Sequence, residues 1–177
     1  MKKLFLFSMA AVFMLASCKD KDAGGMSDKA KKNLDAMHVV NKAFETGDAS
    51  GIDAVVADNF VDHTPKGDWN RDSLKSMIPM MKKSMSDMKM TTNQEFANDD
   101  YVVGWYTWTG TSDGSMGGPK GPFTMQAIEV AKLNADSKAI EHWEFMQAKD
   151  VMDMMKSMGG GNTGGGDMMP KDTTKMK

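Results

Sequence analysis

Cysteine and arginine are almost absent from this 177-residue chain, since each occurs once, as Cys18 and Arg71. A single cysteine excludes an internal disulfide and any metal site built from several cysteines. The chain also lacks a basic excess, because 22 Lys and Arg are set against 24 Asp and Glu, and this argues against nucleic-acid binding. Hydrophobic residues still make up 41% of the chain, which is enough to bury the core of a domain.

The N-terminal residues 1–17 have the order of a secretory signal: a basic start, an apolar stretch and small residues before a cysteine. The apolar stretch is about 13 residues long and falls short of the roughly 20 that cross a bilayer. The sequence Leu15-Ala16-Ser17-Cys18 resembles the lipobox of bacterial lipoproteins. The resemblance implies cleavage before Cys18, a lipid on Cys18 and a membrane-anchored protein of the bacterial cell envelope. An ordinary secreted protein is the alternative, and the membrane face stays open.

The two ends of the chain are predicted to lie outside the folded domain. Residues 18–28 are polar, with two adjacent glycines, and are expected to form a flexible tether. Residues 159–166 contain six glycines, so we expect a disordered Gly/Met-rich tail over residues 159–177. The folded domain is therefore predicted over residues 29–158. Thioethers suit Cu(I), but the tail has no regular Met-x-Met-x-Met repeat, so no metal site is predicted there.

Helical patterns in the first half and strand patterns in the second predict an α+β domain, with helices on one face of an antiparallel sheet. Helices are expected over 29–46, over a short segment capped by Ser50, and from the cap Asn70 to about residue 86. Pro79 is expected to kink or break the third helix. Strands are expected over 60–64, 90–96, 101–111, 123–133 and 139–146, and a last helix over 149–158.

Four segments in this order resemble one known family. They are Asn59-Phe60-Val61-Asp62-His63-Thr64-Pro65, a helix ending in Ser86-Asp87-Met88-Lys89-Met90, Trp105-Tyr106-Thr107-Trp108-Thr109-Gly110-Thr111 and Lys138-Ala139-Ile140-Glu141-His142-Trp143-Glu144. The chain is similar to the SnoaL-like polyketide cyclases of the nuclear transport factor 2-like superfamily. The resemblance implies a cone, in which a curved antiparallel sheet packs against three N-terminal helices and a pocket lies at the open end. Members of this family include cyclases that use an acidic residue as general acid/base, and also binding modules. The fold alone therefore leaves the function open.

The resemblance gives Glu144 the position of the acid that faces the pocket in the cyclases, where aspartate is usual. Burial would raise the pKa of such a carboxyl toward neutrality and suit it to proton transfer. Glu129 falls where the cyclases have a second polar pocket residue, but a one-residue insertion in the turn leaves its inward and outward orientations both open. His142 and Glu144 share one face of the last strand by alternation.

The other candidate pocket residues are His63, Trp69 and Trp105. The resemblance puts His63 near the pocket mouth, where it could donate to a carbonyl; a bond to its own loop is the alternative. Trp69 is expected in a loop over the mouth, and Trp105 and Tyr106 must face opposite sides, so one of them can reach the pocket. Asp62 is expected to turn outward.

The sequence predicts no metal or cofactor in the domain. The set His63, His142 and Glu144 could ligate zinc by type, but no local spacing supports a site. The leading interpretation is a lipid-anchored domain that binds a small apolar or amphipathic molecule in its cone. A cyclase- or isomerase-type enzyme that uses Glu144 and His63 is the first alternative, and a homodimeric interaction module without a ligand is the second.

Overall fold

The computed structural model describes residues 25–65, 67–116 and 118–157. Its elements are α1 (Asp28–Thr46), α2 (Ile52–Val55), β1 (Val56–Thr64), β2 (Gly67–Trp69), α3 (Arg71–Ser84), β3 (Met85–Ala97), β4 (Tyr101–Ser112), β5 (Gly121–Leu133), β6 (Ala139–Met146) and α4 (Ala148–Ser157). The expected signal peptide, Cys18 and the Gly/Met-rich tail lie outside the described residues. No helix in the described ranges is long and apolar enough to span a membrane.

The α+β class with a curved, unclosed sheet is confirmed. Six strands form one sheet in the order β2-β1-β6-β5-β4-β3. All neighbouring strands are antiparallel except β1 and β6, which run parallel. The expectation of a wholly antiparallel sheet missed this pair, because the chain reaches β6 only after passing through α3 and three other strands. The short strand β2 was also not predicted from the sequence.

The first helix has clear start and stop signals. The Ser27 side chain accepts a hydrogen bond from the Ala30 backbone N–H at 3.0 Å, and Gly47 ends the helix at φ 80°, a conformation that favours glycine. The expected Ser50 cap of the second helix was wrong. The backbone N–H of Ser50 donates to Asp48 Oδ1 at 2.9 Å, so Ser50 belongs to the turn, and no side chain caps α2.

The third helix begins after Asn70, whose side chain accepts from the Ser73 backbone N–H, as predicted. Of the kink or break expected at Pro79, the break does not occur, since α3 is continuous from Arg71 to Ser84. Pro79 lies on its exposed side, where water can satisfy the carbonyl that it leaves unpaired. The helix nevertheless stops at Ser84, two residues early. Strand β3 then has a bulge between Ser86 and Lys89, where Asp87 has φ 55°. Because a bulge interrupts strand alternation, the methionines at the start of β3 follow one another at a spacing that resembles a helix.

The helices cover one face of the sheet, which we call the inner face; the opposite one is the outer face. One cluster of buried residues joins α1, α2 and α3 to β1 and includes Ile52, Phe60 and Ile78. A second places Met37 of α1 against β4 and β5. A third contains Tyr106 and Trp108 of β4 with several methionines around them. The side chains described next lie on the same inner face.

Candidate functional site

Four titratable side chains meet on the inner face, at the junction of β1, β6 and β5. The register pairs Asp62 with His142 across β1 and β6, and Glu129 with Glu144 across β5 and β6. Because directly paired residues share a face and alternate residues of a strand return to it, all four side chains point inward. We call Asp62, Glu129, His142 and Glu144 the inner polar group.

His142 is held between two carboxyl groups. Its Nδ1 lies 2.8 Å from Asp62 Oδ1, and an ionised Asp62 accepts this hydrogen bond from a proton on Nδ1. Its Nε2 lies 3.9 Å from Glu129 Oε2. The His142 and Asp62 side chains are 18% and 15% exposed, so this pair is largely withdrawn from water. A carboxylate that fixes one ring nitrogen leaves the other directed at the neighbouring acid.

Glu129 is the most buried acid of the group, with 9% of the residue exposed. The indole Nε1 of Trp108 donates a hydrogen bond to its Oε1 at 3.2 Å. This contact fixes the carboxyl beside His142 on β6 and opposite Glu144. Of the two orientations that the sequence left open for Glu129, the structure shows the inward one.

Burial and mutual repulsion shift the proton affinities of this group. Burial raises the pKa of Glu129 to about 7, against the lowering effect of His142, and the charge of Glu144 adds to the rise. Loss of hydration also raises the pKa of Glu144. Burial opposes the charged form of His142, but its hydrogen bond to Asp62 and the surrounding carboxylates outweigh this and raise its pKa. Glu129 and Glu144 therefore keep their protons to a higher pH than free glutamates do, beside a histidine that stays charged to a higher pH than a free one.

Glu144 is the member of the group that meets solvent. The residue is exposed, although the surrounding protein removes enough of its hydration to raise its pKa. A position inside a concave face accounts for both observations, since water reaches the carboxyl from one direction while protein surrounds it on the others. A bound molecule would therefore meet Glu144 first.

The hydroxyl of Tyr106 lies on the same inner face, near strands β3 and β4. Tyr106 is 1% exposed, and its hydroxyl donates to Glu95 Oε1 at 2.8 Å. Burial, followed by this hydrogen bond, raises the pKa of Tyr106. The Tyr106 ring lies over Gly104, where an added Cβ would come within 2.1 Å of ring and hydroxyl atoms. Glu95, Gly104 and Glu129 are paired in one row with Glu144, which places this hydroxyl near the acids.

His63 is not brought together with the inner polar group. It pairs with Trp143 in the register and stacks on that indole at 4.9 Å between ring centroids, on the outer face. Its Nδ1 lies 3.0 Å from Asp68 Oδ1, and its Nε2 lies 3.7 Å from Glu141 Oε2. His63 faces the outer side and Asp62 the inner side because they are adjacent in β1, and successive residues of a strand face opposite sides.

The two tryptophan candidates, Trp105 and Trp69, lie on opposite faces of the sheet. Trp105 lies on the outer face and is 46% exposed, since Tyr106 takes the inward position on β4. Trp69 is half-buried on β2, where it pairs directly with Asp62. It belongs to a short strand rather than to a loop, and it lies beside the inner polar group.

Asp62 and Trp108 are partners of the site that were not predicted from the sequence. The expectation that Asp62 turns outward was wrong, and its parity with the buried Phe60 two residues earlier could have revealed this. The Trp108 contact depends on the long-range register of β4 and β5, for which no local signal exists. Within the described ranges, no group of three or more His, Cys, Asp or Glu is arranged to hold a metal ion.

A model of the SnoaL-like polyketide cyclases matches residues 34–156 of the chain. The matched range contains all four residues of the inner polar group and most of the described helices and strands. The chain therefore belongs to the SnoaL-like polyketide cyclase family. No curated protein sequence is significantly similar to it.

Solved structures share the fold at low sequence identity. TsrD from Streptomyces laurentii has a TM-score of 0.62 at 17% identity, over 73% of this chain and 96% of TsrD. A SnoaL-like polyketide cyclase from Agrobacterium tumefaciens has a TM-score of 0.58 at 10% identity, over 70% and 97%. The BvnE pinacolase from Penicillium brevicompactum has a TM-score of 0.61 at 9% identity, over 78% and 99%. These similarities support the fold, and function is argued from the site.

Proposed function

We propose that the protein binds a small apolar or amphipathic molecule on the inner face, with the molecule's carbonyl or hydroxyl group at the inner polar group. The observation that carries this proposal is the meeting of three carboxyls and one histidine on the inner face, where Asp62, Glu129 and His142 are largely withdrawn from water. Such a group costs stability, and apolar residues of similar volume would often stabilise the fold instead. Perturbed proton affinities of this kind concentrate at functional sites.

The chemistry of the group suits a ligand with a carbonyl oxygen. A protonated Glu129 or Glu144 can donate a hydrogen bond, and an ionised one can accept from a hydroxyl. The half-buried side chains of Trp69, Met125 and Met146 lie on the same face and offer apolar contacts. Structural relatives named as polyketide cyclases suggest that polyketide-like carbonyl compounds belong in the first ligand panel.

An acid–base enzyme is the second candidate, and the pKa of Glu129 near 7 favours it. A carboxyl that is half protonated at working pH can take a proton from carbon and return one to oxygen. Glu144, the solvent-facing acid opposite it, is the group that would meet the substrate. His142, fixed by Asp62, lies beside Glu129 and can stabilise the charge that develops.

Glu144→Gln is expected to separate binding from catalysis. The variant keeps the shape of the side chain and removes its titration, so a binding protein loses less than about tenfold in affinity. An enzyme loses about 100- to 10,000-fold in turnover. Titration of aromatic ketones and β-diketones, followed through the indole N–H signal of Trp108, measures affinity, and product analysis measures turnover.

Glu141→Gln is the matched control for this test, because Glu141 lies on the outer face of the same strand, paired with Lys132. Neither affinity nor turnover should change in it. If no compound in the panel shifts the Trp108 signal or the melting temperature of the wild type, the ligand proposal for the inner face is contradicted.

We also propose that the outer face pairs with a second copy of the chain. Trp105, Ile128 and Phe145 are directly paired across three strands and are 46%, 47% and 58% exposed. Phe96, at 64% exposure, extends this outer apolar surface. A contiguous apolar row of this kind is unusual on a free monomer, and a two-fold axis through it would cover both copies at once.

Trp105→Glu should convert a dimer to a monomer in sedimentation velocity, because it buries a charge in the contact. Thr111→Glu is the control, since Thr111 is an exposed outer-face residue further along β4. A wild-type protein that is monomeric at high concentration would contradict this interface.

Cys18 is proposed to carry the lipid that attaches the domain to a membrane of the bacterial cell envelope. The support is the sequence pattern that precedes it. Incorporation of a radiolabelled fatty acid into the wild type but not into Cys18→Ser would establish the modification. A labelled Cys18→Ser protein, or an unlabelled wild type, would contradict it.

A further inference from the structure

Three hydrogen-bonded side chains connect the surface of α1 to the core of the sheet. His38 lies on α1 with its side chain 49% exposed, and its Nε2 lies 3.0 Å from both carboxylate oxygens of Glu95 on β3. Glu95 Oε1 also accepts from the Tyr106 hydroxyl at 2.8 Å. Because Glu95 is largely buried and Tyr106 is fully buried, the three side chains lead from water into the core. None of them belongs to the inner polar group.

These contacts fix the direction of the Tyr106 proton. A carboxylate only accepts hydrogen bonds, so the phenol proton points at Glu95 and away from the rest of the inner face. Burial raises the pKa of Tyr106, while the buried amide of Asn41, which is directed at the same hydroxyl, acts in the opposite direction as a donor does. The phenol proton is therefore committed, and the hydroxyl can offer only an oxygen lone pair to a further group.

Glu129 lies on the other side of this hydroxyl. In the register, Gly104 of β4 pairs with Glu95 on one side and with Glu129 on the other. The Tyr106 hydroxyl occupies the space that a side chain at Gly104 would fill, since an added Cβ would lie 2.1 Å from it. The phenol oxygen therefore lies between the two acids. After burial, the charges of Glu95 and then Glu129 contribute to the raised pKa of Tyr106.

The remaining charged neighbours lie at the two ends of this arrangement. On the far side of Glu129 from β4, strands β6 and β1 contribute the other inner polar residues, Glu144, His142 and Asp62. At the surface end, Lys42 follows His38 on α1 and is paired with Glu45 at 3.0 Å. Glu95 is the carboxylate in contact with His38. Tyr106 is thus the group that separates the carboxylate of Glu95 from that of Glu129.

We propose that Tyr106 is a positioning residue for Glu129. With its proton committed to Glu95, the hydroxyl turns the negative end of its dipole toward Glu129 and favours the protonated form of that acid. His38 supports this arrangement from the surface by donating to Glu95. The inference deepens the proposed function and rests on it for its consequence, because protonated Glu129 is the form that donates a hydrogen bond to a ligand carbonyl.

The titration of Glu129 in the ligand-free, ¹⁵N-labelled full chain tests this role. The indole N–H of Trp108 donates to Glu129, so its signal should shift as Glu129 ionises, and this step should be absent in Glu129→Gln. Tyr106→Phe keeps the ring and removes the hydroxyl. The midpoint of the step should then fall by about 0.5 to 1 pH unit, because the dipole that opposes ionisation is lost.

Tyr101→Phe is the matched control, since it removes the other of the two phenols in the chain, from an exposed position on the outer side of the same strand. Its midpoint should equal that of the wild type. A Tyr106 hydroxyl that serves packing alone would leave the midpoint unchanged in Tyr106→Phe, and one that donates to Glu129 would raise it. Either result overturns the proposal.

A double-mutant cycle tests whether Glu95 acts through Tyr106. Glu95→Gln replaces the acceptor by an amide and frees the phenol proton to turn toward Glu129, so the midpoint should fall in this variant as well. In a Tyr106→Phe background the same change should lower the midpoint by less, because the hydroxyl that transmits the effect is absent. Equal shifts in the two backgrounds would overturn the role of Tyr106.

A measurement on the wild type covers the case in which Tyr106→Phe does not fold. The buried hydroxyl proton of Tyr106 should give stronger nuclear Overhauser contacts to the side chain of Glu95 than to that of Glu129. The reverse order would overturn the proposal. Because all these experiments use ligand-free protein, their failure would leave the proposed ligand site standing, and an inner face that binds no ligand would leave their outcome unchanged.

Discussion

Replacing Glu129 by glutamine is expected to remove a loss of stability that the wild-type protein shows as the pH rises from about 4.5 to about 7. The Glu129 carboxyl has a raised pKa in the folded protein, so it stays protonated while the unfolded chain ionises. The contribution of Glu129 to the unfolding free energy is fully present below the pKa that this carboxyl has in the unfolded chain. It is lost as the pH rises through the pKa that the carboxyl has in the folded protein. The difference corresponds to about 3 kcal/mol of unfolding free energy.

Chemical denaturation at pH 4.5 and pH 8 measures this effect. The amide oxygen introduced by Glu129→Gln can still accept the hydrogen bond from Trp108, so this variant should match the wild type at pH 4.5 and exceed it at pH 8. His142 contributes a further loss on the alkaline side, because Asp62 and the neighbouring glutamates raise its pKa against the effect of burial, and the part due to Asp62 and Glu144 should remain in the variant. Glu141→Gln, on the outer face, should leave the difference between the two pH values unchanged. Equal pH profiles for the wild type and Glu129→Gln would contradict the burial of an acid at this position.

Gly104→Ala is expected to lower the unfolding free energy by about 3 kcal/mol, the upper part of the usual range for overpacking. A Cβ at this position would lie 2.1 Å from atoms of the Tyr106 ring and hydroxyl, in a part of the core where the ring is 1% exposed. The ring would have to leave Gly104 and would lose its hydrogen bond to Glu95. Gly118→Ala is the control, because a Cβ there meets nothing within 4 Å.

A double-mutant cycle locates the cause of the Gly104 effect. In a Tyr106→Leu background the outer ring atoms and the hydroxyl are absent, so the cost of Gly104→Ala should fall sharply. A cost that is equal in both backgrounds would place the strain in the backbone rather than against Tyr106. A cost near zero in the wild-type background would contradict the packing of this ring over Gly104.

Local patterns were sufficient to predict most of the fold. Caps and hydrophobic spacing gave α1 and the start of α3, and β-rich stretches between turn residues gave β4, β5 and β6 to within two residues. The parallel pairing of β1 with β6 had no local signal, since it joins segments about 80 residues apart. The bulge at Asp87 also escaped detection, because methionine suits a helix and an irregular strand equally well.

The site was predictable where alternation within one strand decides the outcome. His142 and Glu144 share the inner face as expected, and the same rule puts His63 on the outer face once Asp62 is known to point inward. What the sequence could not supply was the alignment of separate strands. Glu129 opposite Glu144, Trp69 beside Asp62 and Trp108 within reach of Glu129 all follow from registers set by the packed core.

Native mass spectrometry of the full-length protein, purified gently from its own host, tests the proposed ligand site most directly. We expect a fraction of the wild-type protein to retain a small apolar or amphipathic molecule, and this fraction to fall in a variant that fills the inner face, Glu144→Trp, but not in Glu141→Gln. The same spectra report whether the protein is a dimer. A bound molecule that is equally abundant in Glu144→Trp, or a wild-type protein that stays empty and also binds no carbonyl compound in titration, would contradict a ligand site at the inner polar group.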